Sequence, residues 1–143
     1  MEGCVFCNII EGLAEATKLF EDDAFLAFLD IKPVNEGHLL IVPKQHVALI
    51  NELDDDTVSA MLVVAQRLNG ALRQSGLRCE GVNYFLADGE ASGQEVFHLH
   101  LHLFPRFRDD GFGFIFPAHY ETRPTRAALD GIGARIVRAL SAS

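Results

Sequence analysis

The chain has no tryptophan, only three cysteines and no run of Lys or Arg, and its net charge is −8 over 143 residues. Each shortage narrows the field. Without a basic face, a protein that coats nucleic acid or lies on an anionic membrane is disfavoured. A phosphate-bearing small molecule stays open, because a site can be locally positive within an acidic whole. No apolar run approaches the roughly 18–20 residues of a membrane span. The opening stretch MEGCVFCNII lacks the basic region and long apolar core of a secretion signal. An odd cysteine count without such a signal points to a reducing compartment, with the cytoplasm as default. There is no internal repeat and no low-complexity linker.

What is present reads as one globular domain over residues 1–143. Hydrophobic residues make up 49% and charged residues 22%, and eleven Phe supply the aromatic bulk. Alternation and turn residues predict two short strands in 18–31 around Glu21, Asp22 and Asp23, then a strand in 37–46 stopped by Pro43. Residues 53–76 predict the main helix. Its start is acidic, Gly76 suits the position past its end, and Val58, Met61, Leu62, Ala65, Leu68 and Leu72 recur at helical spacing. Strands are expected in 81–88 and, as a long element, in 95–107. A second helix is expected after Pro124, with Leu129, Ile132, Ile136 and Leu140 on one stripe. The fold class is α+β: about five strands, mainly antiparallel, with two main helices packed on the sheet.

The most informative stretch is HLHLHLFPRF, residues 98–107. Side chains alternate along a strand, so His98, His100 and His102 share one face and Leu99, Leu101 and Leu103 the other. The leucines read as core. Three imidazoles on the opposite face have no packing purpose, which leaves a metal site or nucleophilic catalysis. The second local signal is Cys4-x-x-Cys7. In a reducing compartment that spacing means metal or redox chemistry more often than a disulfide. The helix setting of a redox pair is not evident, and a second local ligand pair for zinc is missing. Two buried free thiols are the plain alternative. Cys79, alone, reads as a small packing residue.

HLHLHLF, with CVFCNII, AFLDIKPVNEGHLLIVPKQH and GVNYF…DGEASGQEVFHLHLHLFPRFRDDGF in that order, resembles the nucleotide-binding branch of the histidine triad superfamily over about residues 3–114. The resemblance implies that His100 is a nucleophile toward the α-phosphorus of a nucleotide and passes through a nucleotidyl-histidine. It implies that His102 donates to a phosphate oxygen and that His38 supports the triad through hydrogen bonds. It places Asp30 at the ribose hydroxyls and Phe28 and Ile31 beside the base. Phosphate donors would come from Gln94 and from the loop amides at Gly93, Glu95 and Val96. It also implies a structural zinc on Cys4, Cys7, His46 and His98. The substrates implied are nucleoside 5′-phosphoramidates or dinucleoside polyphosphates, with a purine, AMP-type nucleotide, and the chain would pair as a homodimer without nucleic acid or membrane.

Two positions depart from the pattern of that branch. Ala87 stands where many members carry Asn, and Glu95 stands where many carry Ser or Thr. Arg106 is a candidate polyphosphate contact or only a strand-end charge. His119, Arg123 and Arg126 lie in a tail outside the resemblance, from which they could reach a partner subunit's site. Two rival readings follow: a purine-nucleotide-binding regulatory module without catalysis, and a metalloenzyme with its metal on His98, His100 and His102.

Overall fold

Strand register fixes which side chains meet in the computed structural model, which describes residues 3–143. Five strands, β1 (Lys18–Glu21), β2 (Phe25–Leu29), β3 (Leu39–Pro43), β4 (Gly81–Phe85) and β5 (Leu101–Arg106), form one antiparallel sheet in the order β1-β2-β3-β5-β4. The described residues also form three α-helices: α1 (Val5–Ile10), α2 (Asp55–Gln74) and α3 (Arg126–Leu140). The chain forms two compact units, the first ending at Phe112 and the second being Gly113–Ser143.

In the first unit the sheet is buried on both faces. One face carries Phe25, Ala27, Leu39, Ile41, Leu101 and Leu103, which pack against Met61, Val64, Ala65, Leu68 and Leu72 of α2. The helix starts where its acidic residues predict. Asp54 caps it by accepting the Thr57 amide at 2.8 Å, and Asp55 and Asp56 occupy the first turn against the positive end of the dipole. Its buried stripe differs from the expected one at one position. Val64 faces the core and Leu62 faces outward, because 61, 64, 65, 68 and 72 follow the helical repeat and 62 falls a full step off it. The other face carries Leu26, Phe28, Leu40 and Val42, and α1 covers it with Phe6 and Ile9.

The histidine-bearing strand is shorter than expected, and the reason is local. β3 and β5 pair from Leu39↔Leu103 to Ile41↔Leu101. Continued, the same register would bring Leu99 opposite Pro43, which has no N–H to offer the ladder. The chain opens there, and the Leu99 amide donates instead to the Val47 carbonyl at 2.7 Å. Residues 95–100 are therefore outside the sheet.

The β2–β3 connection depends on one glycine. Gly37 has φ +91, and a Cβ there would lie 2.8 Å from Leu77 Cδ1 and 3.1 Å from Leu72 Cδ2. Only glycine lets the chain turn this close to the end of α2, directly before His38.

The second unit holds α3, capped by Thr125, whose hydroxyl accepts the Ala128 amide at 3.2 Å. Gly131 and Gly133 are accommodated inside it. Phe116 and Tyr120 stack with ring centroids 4.1 Å apart. The predicted stripe Leu129, Ile132, Ile136 and Leu140 is exposed.

Candidate active site and metal centre

The histidine row lies beneath α1. His98 and His100 are buried and His102 is half-buried, while Leu99, Leu101 and Leu103 fill the α2 core. Alternation across 98–103 thus survives the loss of the ladder. Phe6 of α1 sets its ring edgewise against His98 at 5.9 Å, His100 at 5.1 Å and Phe28 at 5.6 Å. Phe6 carries no sequence signal for this place, since a six-residue helix is too short to show a period.

Second hydrogen bonds assign the ring protons, because a carbonyl can only accept and an amide N–H can only donate. His98 donates its Nε2–H to the Pro43 carbonyl at 2.7 Å. Its Nδ1 is left as a bare lone pair, 3.5 Å from Cys4 Sγ and 3.6 Å from Cys7 Sγ. His100 donates its Nδ1–H to the His98 carbonyl at 2.8 Å, which leaves Nε2 bare. His38 is reversed: its Nδ1 accepts the Val34 amide at 3.0 Å, so its proton sits on Nε2. That proton is donated to His102 Nδ1 at 2.9 Å, and His102 accordingly carries its own proton on Nε2.

No buried side-chain polar atom among the described residues lacks a partner. His100 Nε2 and His102 Nε2 make no bond to the chain, so both reach open space. A bare nucleophilic nitrogen and a proton donor stand side by side, with ring centroids 4.9 Å apart. Burial holds both rings neutral. It lowers the pKa of His100 despite the bond to the His98 carbonyl. It pulls His102 down to about 4, with His100 and His38 adding to the effect. Burial also lowers His38, against the raising influence of Asp30.

Two clusters gather metal-ligand atoms within 4.8 Å of one another among the described residues. The first is Cys4, Cys7, His46 and His98. A tetrahedral zinc with ordinary Zn–S and Zn–N lengths places sulfur and nitrogen about 3.6 Å apart. The two distances from His98 Nδ1 match, and His46 Nδ1 lies 3.3 Å from Cys7 Sγ. The Pro43 carbonyl behind His98 is the outer partner that fixes a ligating ring. Burial, then the neighbouring Cys4 thiol, pushes the Cys7 thiol up. A nearby cation would favour the Cys7 thiolate.

The second cluster, Asp30, His38 and His102, has the spacing of a metal site but the wrong protons. His38 Nε2 lies 3.6 Å from Asp30 Oδ2 and keeps its hydrogen because the Val34 amide occupies Nδ1. A ligating nitrogen must be bare, so this group reads as a proton-holding chain. The three triad imidazoles do not converge on a common point, which removes the metal-on-triad alternative.

Other candidates fall as follows. Asp30 is half-buried beside His38 and His102, and its Oδ1 accepts the Lys32 amide at 2.8 Å. Phe28 is buried against Phe6, and Ile31 is 91% exposed. The Gln94 side chain is consumed within the loop. Its Nε2 donates to the Ala48 and Val96 carbonyls at 2.8 and 3.2 Å, and its Oε1 accepts the Gly89 amide at 2.8 Å. A phosphate-donor role for that side chain is therefore corrected to a loop-shaping one. Gly93 and Glu95 are exposed, Val96 is half-buried and Ala87 is buried. Arg106 is no free phosphate contact. Its Nε and Nη2 grip Asp110 at 2.6 and 2.9 Å, Nη1 donates to Asn83 at 2.7 Å, and Nη2 also donates to the Phe112 carbonyl at 2.7 Å. His119, Arg123 and Arg126 are exposed in the second unit.

The alternation of His98, His100 and His102 with leucines is the pattern after which the histidine triad family is named. The model of that family, the HIT domain, matches residues 11–109, and the chain belongs to it. A histidine triad nucleotide-binding protein from Candida albicans has the same fold, with a TM-score of 0.84 at 31% identity over 97% of this chain and 98% of that one. A zinc-bound histidine triad family protein from Mycobacterium smegmatis is 41% identical over 93% of this chain and 97% of that one, with a TM-score of 0.74. The curated relative adenylylsulfatase HINT3 from Arabidopsis thaliana is 37% identical over 107 residues, 75% of this chain and 54% of its own length. The family thus includes nucleotide-binding proteins and a hydrolase. No helix of the described residues is long and apolar enough to cross a membrane.

Proposed function

We propose that the protein is a hydrolase of nucleotides that breaks the bond between an α-phosphate and its leaving group, in phosphoramidates or dinucleoside polyphosphates. The single observation that carries this reading is the proton placement on His100: Nδ1–H held by a backbone carbonyl, Nε2 bare and unpartnered. Neutral imidazole attacks phosphorus through that lone pair. An Nε2–P bond forms as the bond to the leaving group breaks, and water then cleaves the nucleotidyl-histidine, releasing the nucleoside monophosphate and restoring His100. His102, its proton set by His38, donates from Nε2 to a phosphate oxygen and so stabilises charge where it develops. Asp30 takes the ribose hydroxyls as a paired acceptor, and Phe28 and Ile31 flank a purine. The loop amides at Glu95 and Val96 complete the phosphate cradle, whereas the Gly93 amide is spent on the Glu90 carbonyl at 3.0 Å.

Cys4, Cys7, His46 and His98 hold a zinc ion in this reading. With four protein ligands no coordination position is open, so its contribution is to tie the N-terminal segment to the histidine row. Residues 1–143 act as one histidine triad domain in a cytoplasmic homodimer. Free thiols suit that compartment, and β4 leaves an unpaired sheet edge with Tyr84 and Phe85 exposed on it.

The test is AMP release from an adenosine phosphoramidate by the wild type and His100→Asn, matched for zinc and folding. Turnover by the wild type alone, with AMP bound by both, supports the hydrolase. Binding by both without turnover by either moves the protein to a nucleotide-binding module. Ala87 and Glu95, whose side chains offer no donor, would then mark the places where phosphate contacts are missing.

A further inference from the structure

His38 controls the proton on His102, yet nothing in the row itself fixes His38. Its tautomer is set from outside by the Val34 amide. That amide sits in the turn between β2 and β3, where the His38 amide donates to the Asn35 carbonyl at 3.0 Å and the Asp30 amide to the His38 carbonyl at 2.9 Å. The turn is anchored at one side chain. Asn35 spends both Nδ2 hydrogens, one on the Pro105 carbonyl at the end of β5 and one on Asp110 Oδ2, each at 2.9 Å.

Asp110 is built to receive it. Its side chain is 2% exposed. Asp109 adopts φ 61, a left-handed conformation that Asp tolerates, and the chain folds back so that Asp110 lies under Arg106. The carboxylate accepts Arg106 twice, the Phe112 amide at 3.1 Å, the Phe107 amide at 3.4 Å, and Asn35. Arg106 holds its pKa far below the usual carboxylate range, so it stays an acceptor. A buried carboxylate with five donors is a rigid anchor, since loss of one donor leaves charge uncompensated. The anchor and the last histidine of the row share β5, where Arg106 follows His102 by four residues.

We propose that Asn35 and Asp110 are positioning residues for the histidine row: they hold the 34–38 turn so that the Val34 amide locks the His38 tautomer and keeps the proton of His102 on Nε2. Neither residue touches the reacting atoms. Without the anchor the turn drifts, His38 can place its proton on either nitrogen, and His102 loses its single donor form. The consequence for turnover rests on the hydrolase reading above; the location of the ring proton does not.

The experiment is ring ¹⁵N NMR on zinc-loaded, full-length protein at neutral pH, comparing the wild type with Asn35→Ala and Asp110→Asn. Asp110→Asn keeps the side-chain volume, so it covers the case in which alanine loosens the turn too far for a dispersed spectrum. A protonated Nε2 on His102 in the wild type and a mixture of tautomers in a folded variant is the expected result. In turnover of an adenosine phosphoramidate, kcat then falls about tenfold with KM little changed, the signature of a donor used in the transition state. A wild-type tautomer pattern in the folded variants overturns the proposal, whatever their activity. A tautomer mixture in protein whose wild type never turns over sinks the hydrolase reading and leaves the positioning role standing.

Discussion

The two ends of the histidine row look alike by distance and behave as opposites. At one end His98 stands about 3.5 Å from two sulfurs. At the other, His102 stands 2.9 Å from His38 and 4.0 Å from Asp30. Both ends satisfy a distance criterion for metal binding. What separates them is the atom behind each ring. A carbonyl behind His98 takes its proton and presents a lone pair; an amide behind His38 supplies a proton and forces the opposite tautomer. Five consecutive residues thus carry a candidate metal ligand and a proton relay at their two ends, with the nucleophile candidate between them. The lesson is that the second hydrogen bond of an imidazole, rather than its neighbours in sequence, decides its role.

The contrast is broken most sharply at its midpoint. His100→Asn is expected to cut turnover of an adenosine phosphoramidate by roughly 10³-fold or more while leaving zinc content at the wild-type value. Steady-state kinetics beside elemental analysis checks both halves. A variant that loses metal as well would mean that the two ends are not separable.

The metal end comes next in size. Cys7→Ser removes a ligand and the charge that stabilises the cation, so zinc should be lost and the covering of the row by α1 loosened. Several kcal/mol of stability and about 10 °C or more in Tm are expected to go with it. Thermal melts with and without a chelator test this: chelation should bring the wild type down to the variant and leave the variant unmoved. An unchanged wild-type melt after chelation would mean two free thiols in place of a metal centre.

The relay end answers to pH. His102 has a folded pKa of about 4, below the roughly 6.5 of a free imidazole. A depressed histidine binds fewer protons folded than unfolded between those values, so its contribution is complete above about pH 6.5 and is lost as pH falls toward 4. At most about 3 kcal/mol is involved. Zinc ligands also protonate in acid, so the relevant quantity is the difference in pH slope between the wild type and His102→Asn. A flatter slope in the variant is expected. Equal slopes would place the ordinary imidazole pKa on His102 and undo the neutral-row argument.

Much of this was legible in the chain, for reasons that differ by element. Strict alternation in 98–103 announced the two faces, and capping residues bounded α2, because both signals are local. The fourfold Cys/His cluster was legible only through family resemblance, since Cys4, Cys7, His46 and His98 sit far apart in sequence. The late start of the strand at Leu101 was hidden because it depends on Pro43 falling opposite Leu99, a matter of register. Gln94 is expected at the phosphate only through the family resemblance, and Arg106 stands open between a phosphate contact and a strand-end charge; in the structure the first is spent on backbone partners and the second chiefly on the Asp110 carboxylate. Val34 carried no signal at all: what acts is its amide, which every residue but proline possesses.

Glu95, which the family resemblance sets where many members carry Ser or Thr, lies five residues before the proposed nucleophile His100, and there the smallest effect is expected. It is exposed, and its charge works against the burial that lowers the pKa of His100. A carboxylate there opposes an anionic leaving group and favours one that bears an amine. Exposure and salt weaken both effects, so a few-fold change is the scale to look for. Glu95→Thr should lower kcat/KM for a phosphoramidate with a cationic side arm and raise it for a dinucleoside polyphosphate, with the ratio collapsing further at low ionic strength. Because the two substrates share the nucleophile, the zinc and the relay, their ratio cancels any general damage from the substitution. A ratio that does not move at either ionic strength would mean that the Glu95 side chain points to solvent and that leaving-group preference is set elsewhere in the loop.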